Sequence, residues 1–153
     1  MVVVLMILGI VATVVSVKLS RSSTIGLNSQ AEMLASDIRY TQSLAMTNGE
    51  RYRLVKTSSS RYQIQNSAGV AIVVPSGMPS DSFTVELGDK IFFGDFTKQL
   101  PNNFIAFNSK GVPYIDASTP LKKIATIELV TNGNKAAVLI SPETGFVTVS
   151  LST

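Results

Sequence analysis

Hydrophobic and polar positions divide the chain into three textures. From Met1 to Val17, MVVVLMILGIVATVVSV, no residue is charged, and Thr13 and Ser16 are the only polar side chains. From Lys18 to Asn28 the chain turns polar, with Gly26 beside a run of Ser and Thr, and a helix entering this stretch is expected to fray. Ser29 and Glu32 then have the spacing of a capping box, in which the Ser caps the amide three residues on and the Glu reaches back. Around and beyond them Leu27, Ala31, Leu34, Ile38 and Ala45 recur at helical spacing and predict one apolar stripe, with Asp37, Arg39 and Gln42 falling largely off it. Asn48-Gly49 supplies a stop, because both residues tolerate the left-handed conformation that ends helices.

After Gly49 the texture becomes a series of short β-like runs. Strands are expected at Arg51–Lys56, Arg61–Gln65, Val70–Val74, Phe83–Leu87, Lys90–Phe93, Phe104–Phe107, Ile124–Val130, Ala136–Ser141 and Phe146–Leu151. Turn chemistry separates them at Asn66–Gly69, Gly88-Asp89, Asn108–Gly111, Thr131–Asn134 and Pro142–Gly145. Asn132-Gly133, between two apolar runs, is the strongest hairpin signal in the chain. Tyr52, Leu54, Tyr62 and Ile64 alternate with polar neighbours, as half-buried strands do. Residues 1–17 therefore form an apolar helix, 18–49 its amphipathic continuation, and 50–153 an antiparallel head. The predicted class is α+β, a long N-terminal helix packed on an antiparallel sheet or sandwich.

The first run has three readings. A cleaved signal peptide calls for a basic leading region and a small-residue cleavage site, and neither is present. A buried core helix of this composition needs a larger partner domain than the chain provides. A membrane segment fits best, since a helix satisfies every backbone group in lipid and β-branched residues cost little there. As a helix the run extends about 25 Å, slightly short of a hydrocarbon core of about 30 Å. Gly9 and Ala12 are small enough for a second helix to approach closely. Lys18 and Arg21, taken alone, place the C-terminal side in the cytoplasm.

Composition narrows the chemistry. With 45% hydrophobic and 15% charged residues the chain is too apolar to be disordered. It contains neither Cys nor His. Disulfides, thiolate catalysis, His-based triads and the commonest transition-metal ligands are thereby excluded. Ser58-Ser59-Ser60 has no base to activate a nucleophile and reads as a hairpin tip. Asp81, Glu86, Asp89 and Asp95 match no calcium-loop spacing and read as solvated turn acids. No catalytic, cofactor or metal site is expected. The net charge of +3 is mild, and the one concentrated basic stretch comprises Arg51, Arg53, Lys56 and Arg61, interleaved with Tyr52 and Tyr62. Arg51, Arg53 and Arg61 are the candidates for nucleic-acid contact, weighed against an ordinary solvated strand face.

Three blocks add a resemblance. MVVVLMILGIVAT resembles the start of mature type IV pilin-like proteins. LASDIRYTQSLAMTNGERYRLV, from Leu34 to Val55, resembles the helix-to-first-strand junction of the FimT/GspH group of minor pilins and pseudopilins. FNSKGVPY (Phe107–Tyr114) and SPETGFV (Ser141–Val147) resemble two further blocks of that group. Within it the pattern is most similar to the minor pilins of mannose-sensitive haemagglutinin pili. The resemblance implies a structural subunit of a pilus or a type II secretion pseudopilus, and no enzyme. It would wait in the inner membrane with a periplasmic head and then join other pilin or pseudopilin subunits. Val3, Val4, Ile7, Gly9, Ile10, Val11 and Val14 would form the membrane and assembly surface, and Leu27, Leu34, Ile38 and Ala45 the packing surface towards the head. Some FimT-like pilins aid DNA uptake, so DNA is a possible further partner. Family members carry a basic leader ending in Gly, then usually Phe-Thr-Leu-Ile-Glu, before this run. Neither stands before the run here, and the expected reasons are a true start upstream of Met1, trimming of the chain, or loss of the processing, the first two favoured.

Overall fold

The computed structural model describes residues 2–77, 81–96 and 99–152, with side chains from Ile25 onward up to Leu151. A single helix, α1, runs without interruption from Val2 to Asn48. The expected fraying between Lys18 and Asn28 does not occur, so Ser29 and Glu32 lie within the helix and cap nothing. Each Ser, Thr, Asn or Gly in this stretch costs the helix about 0.5–1 kcal/mol. Stopping and re-nucleating costs more, and packing from Leu27 onward stabilises the continuous form.

Nine strands follow: β1 Tyr52–Lys56, β2 Arg61–Gln65, β3 Thr84–Glu86, β4 Phe92–Phe93, β5 Phe104–Phe107, β6 Pro113–Tyr114, β7 Ala125–Thr131, β8 Asn134–Ile140 and β9 Val147–Ser152. They form two antiparallel sheets, one in the order β3-β2-β1-β5-β6 and the other in the order β4-β7-β8-β9. Three expectations need correction. Val70–Val74 forms no strand; it makes an isolated bridge from Ala71 to Gln65, and its Ile72 and Val74 amides donate to the Ile64 and Ser82 carbonyls. Val70 and Val73 stay exposed there, and only Ile72 and Val74 at the end of the run reach the core. The strand expected from Lys90 is reduced to Phe92–Phe93, because Lys90 takes a left-handed φ of 60° and turns the chain just before it. Pro113–Tyr114 forms a short strand that the pattern does not announce, suited to the edge because Pro donates no ladder hydrogen bond.

The register of the second sheet rests on its tightest turn. Asn132 and Gly133 adopt φ values of 44° and 83°, the doubly left-handed type I′ conformation, and pair Thr131 with Asn134. Seven residues of β7 then face seven of β8, with Ala125, Ile127 and Leu129 buried and alternating with half-exposed residues.

Both sheets turn an apolar face towards α1. Tyr52 and Leu54 of β1, Ile105 and Phe107 of β5, and Val138 and Ile140 of β8 are buried in the same cluster as the helix side chains Leu27, Ala31, Leu34, Ala35, Ile38 and Ala45. An aromatic chain joins the sheets: Tyr62 of β2 meets Phe93 of β4 edge to face with centroids 6.1 Å apart, and Phe93 meets Phe96 likewise at 5.4 Å. Ile38 is fully buried at the middle of the helix stripe. Ile38→Ala is expected to cost about 2–5 kcal/mol, measured as the shift in urea midpoint at unchanged denaturant slope.

Candidate functional site

Two surfaces carry the features that composition and pattern single out. The first is the face that α1 turns to the head. Leu27, Leu34, Ile38 and Ala45 are at most 1% exposed there. At about 100° per residue, Asp37 lies on one border of this stripe and Gln42 and Arg39 on the other. All three reach the head. The Tyr62 hydroxyl donates to Asp37 Oδ2 at 2.7 Å, and Ser76 Oγ donates to the same oxygen. Arg39 Nη2 donates to the Val147 carbonyl at the start of β9, at 3.0 Å.

Gln42 ties together two turns that lie far apart in sequence. Its Nε2 donates to the carbonyls of Gly111 and Thr144, each at 2.8 Å, using both amide hydrogens. The approach is close enough to exclude a side chain at either glycine. Gly145 has φ 66°, and a Cβ there would stand 2.6 Å from Gln42 Nε2 and 2.9 Å from the Gly111 carbonyl. At Gly111, with φ 78°, it would stand 2.9 Å from Met46 Sδ. The segments Leu34–Val55, Phe107–Tyr114 and Ser141–Val147 thus converge on one amide group.

Asp37 is buried, and burial holds its carboxyl above the ordinary value of 3.8, opposed by the hydrogen bonds from Ser76 and Tyr62. The Tyr62 hydroxyl is pushed up as well, first by burial and then by the neighbouring carboxylate. No ion pair to Asp37 exists among the described residues.

The second surface is the outer face of the five-stranded sheet. Arg51 and Arg53 project to the side opposite Tyr52 and Leu54. They line a cavity of about 350 Å³ with Asn66, Ser67, Asn102 and Phe104. Arg51 donates to the backbone carbonyls of Asp116 and Ala117, and its guanidinium lies 4.5 Å from the Tyr114 ring centroid. Arg53 Nε donates to Gln65 Oε1 at 3.0 Å, and its guanidinium lies 5.5 Å from the Phe104 centroid. Asp116 also lines the cavity, and its Oδ1 accepts the Ser118 and Thr119 amides at 2.7 and 2.6 Å, which hold its pKa low. Arg61 does not join this cavity; it pairs with Glu86 across the β2–β3 edge at 3.1 Å. Lys56 lies on the inner side, 5.6 Å from the centroids of both Phe93 and Phe96. The basic stretch is thus divided among three places. Among the described residues no three acidic, His or Cys side chains gather where they could hold a metal ion.

Val3, Val4, Ile7, Gly9, Ile10, Val11 and Val14 belong to the helical backbone of α1, but their side chains lie outside the described residues. Among the described residues no helix is long and apolar enough to cross a membrane.

Comparison by sequence finds no matching family model and no matching curated protein. Comparison by structure finds the type IV minor pilin FimU of Pseudomonas aeruginosa at a TM-score of 0.54 and 15% identity, covering 81% of this chain and 92% of that one. A second crystal form of FimU gives 0.54 and 14%, covering 83% and 88%. The minor pseudopilin EpsH of the Vibrio cholerae type 2 secretion system gives 0.52 and 10%, covering 82% and 96%. The class that the architecture defines is therefore the fold of the minor pilins and pseudopilins, one N-terminal helix packed on antiparallel sheets.

Two outcomes test the helix face. Asp37 binds its proton more tightly in the folded chain than in the unfolded one, so stability falls as pH rises between 3.8 and its raised native pKa, and is flat with respect to this group on either side. Asp37→Asn should remove that slope from the pH profile of the melting temperature. Gln42→Ala should cost about 2 kcal/mol for its two hydrogen bonds, and Gly145→Ala about 2–4 kcal/mol for left-handed strain plus overlap. In the double variant the combined loss, read by urea denaturation, should fall below the sum, because removing the amide relieves part of the overlap.

Proposed function

We propose that this chain is a structural minor pilin or pseudopilin, a subunit of a type IV pilus or type II secretion pseudopilus. The observation that carries the reading is a pilin-type head built onto the C-terminal half of one unbroken helix. The N-terminal half of that helix has an uncharged sequence from Met1 to Val17. Burial begins at Leu27 among the described side chains, about 15 Å further along the axis than Val17. In this reading Val3, Val4, Ile7, Gly9, Ile10, Val11 and Val14 anchor the subunit in the inner membrane with the head in the periplasm. They later pack among the helices of neighbouring subunits. Keeping six such Val and Ile side chains from water is worth on the order of 10 kcal/mol. Lipid and a filament core both satisfy that demand, so transfer between them costs little.

The blocks Phe107–Tyr114 and Ser141–Val147 support a finer assignment, to minor pilins of the MshC type in mannose-sensitive haemagglutinin pili. A DNA-capturing pilin is the alternative. It draws on Arg51, Arg53 and Arg61, but Arg61 already engages Glu86, which leaves the smaller basic surface.

Removing residues 1–17 separates folding from assembly. The shortened chain should keep the far-UV circular dichroism of the head yet disappear from the membrane fraction and from sheared filaments. Undiminished incorporation into filaments would overturn the proposal.

A further inference from the structure

The cavity on the outer face of the five-stranded sheet has the makings of a binding site rather than a packing defect. Its two guanidiniums are held in place from behind, Arg51 by the Tyr114 ring and two carbonyls, Arg53 by the Phe104 ring and the Gln65 amide. None of these partners is a carboxylate, and the ion pairs among the described residues are Arg61–Glu86 and Lys135–Glu128. The cavity lining therefore carries two positive charges against one negative, and neither guanidinium is paired with a carboxylate. One acid, Asp116, also lines the cavity, and its Oδ1 accepts the Ser118 and Thr119 amides.

Apart from Asp116 the remaining wall is uncharged and mixed in hydrogen-bonding character. Asn66 Oδ1 accepts the Ala68 and Val70 amides, which leaves its NH2 group to donate. Asn102 Nδ2 donates to the Ile115 carbonyl, which leaves its Oδ1 to accept. Ser67 donates to Glu50 Oε2 and keeps its lone pairs. A rigid cationic fork recognises a carboxylate bidentately. Free donors and acceptors beside it suit hydroxyl groups, each of which does both. The volume of about 350 Å³ lies at the lower end of small-molecule sites and accommodates one sugar residue.

We propose that this cavity binds a sugar acid, its carboxylate on Arg51 and Arg53 and its hydroxyls on Asn66, Ser67 and Asn102. The site lies on the sheet face away from α1, so it is open whether or not the helix is engaged, and the inference does not depend on the assembly reading.

Titration of the full chain with galacturonate, followed by calorimetry and amide chemical shifts, tests this. Saturable binding that shifts Asn66, Ser67 and Asn102 is expected, with none for neutral galactose. Arg53→Gln should weaken it about tenfold or more, the worth of a charged hydrogen bond. Arg51 also fastens the Asp116–Ala117 turn, so its removal is the less clean variant. Ala117→Phe, at an exposed position on the rim, should block entry while leaving charge and melting temperature unchanged. The proposal is overturned if galacturonate does not bind, or if Arg53→Gln and Ala117→Phe bind it as well as the parent chain. It is equally overturned if a blocked acidic tripeptide, inorganic phosphate or a short oligonucleotide binds at the cavity more tightly than the sugar acid.

Discussion

The head cannot close its core without the helix. The inner faces of both sheets present aliphatic and aromatic side chains, and the surface that shields them is the stripe from Leu27 to Ala45. A stripe of this kind is slippery by itself, because one turn of translation brings similar side chains over similar holes. The polar residues on its borders remove that freedom. Gln42 meets two carbonyls, Arg39 meets a third, and the carboxylate of Asp37 meets two hydroxyls, each at one rotation and one height of the helix. Burying Asp37 costs solvation that the two hydroxyls only partly return, so an apolar residue could make the interface more stable. What the carboxylate contributes instead is register.

The same reasoning explains what was legible in the sequence. Helical recurrence of Leu27, Leu34, Ile38 and Ala45 is a one-dimensional signal, and burial of one face follows from it. The Asn-Gly turn is equally local, since its left-handed angles are a property of those two residues. The role of Gln42 is not local: its partners lie 69 and 102 residues away, and nothing in the spacing of the helix points to either turn. A signal existed nonetheless. Asp37, Arg39 and Gln42 occupy the borders of the apolar stripe, where long or acidic side chains reach past the apolar layer to backbone groups. The unbroken course of α1 through Lys18–Asn28 was hidden for a different reason. Propensity describes each Ser and Gly correctly, but cooperativity across the whole helix decides the outcome.

The basic stretch shows how strand geometry reassigns charge. In sequence, Arg51, Arg53, Lys56 and Arg61 form one cluster. In the sheet, alternation sends Arg51 and Arg53 outward and Lys56 inward, and the hairpin carries Arg61 to an edge where Glu86 meets it. What a linear reading takes for a patch becomes a pocket, a cation–π contact and an ion pair. A surface for a polyanion needs charges spread along a path, whereas a pair of fixed guanidiniums over one cavity suits a single small anion.

This division has a consequence for how the molecule can work. The period of two along β1 and β5 separates Tyr52, Leu54, Ile105 and Phe107, which face the helix, from Arg53 and Ala106, which do not. Contacts made through α1 and contacts made at the outer cavity therefore share a strand but not a surface. A ligand held by Arg53 would strengthen a pair of strands already tied to the helix through Leu54 and Phe107, and it would not compete with helix packing. Binding at the outer cavity and packing against the helix are then chemically independent, although one short strand supports both.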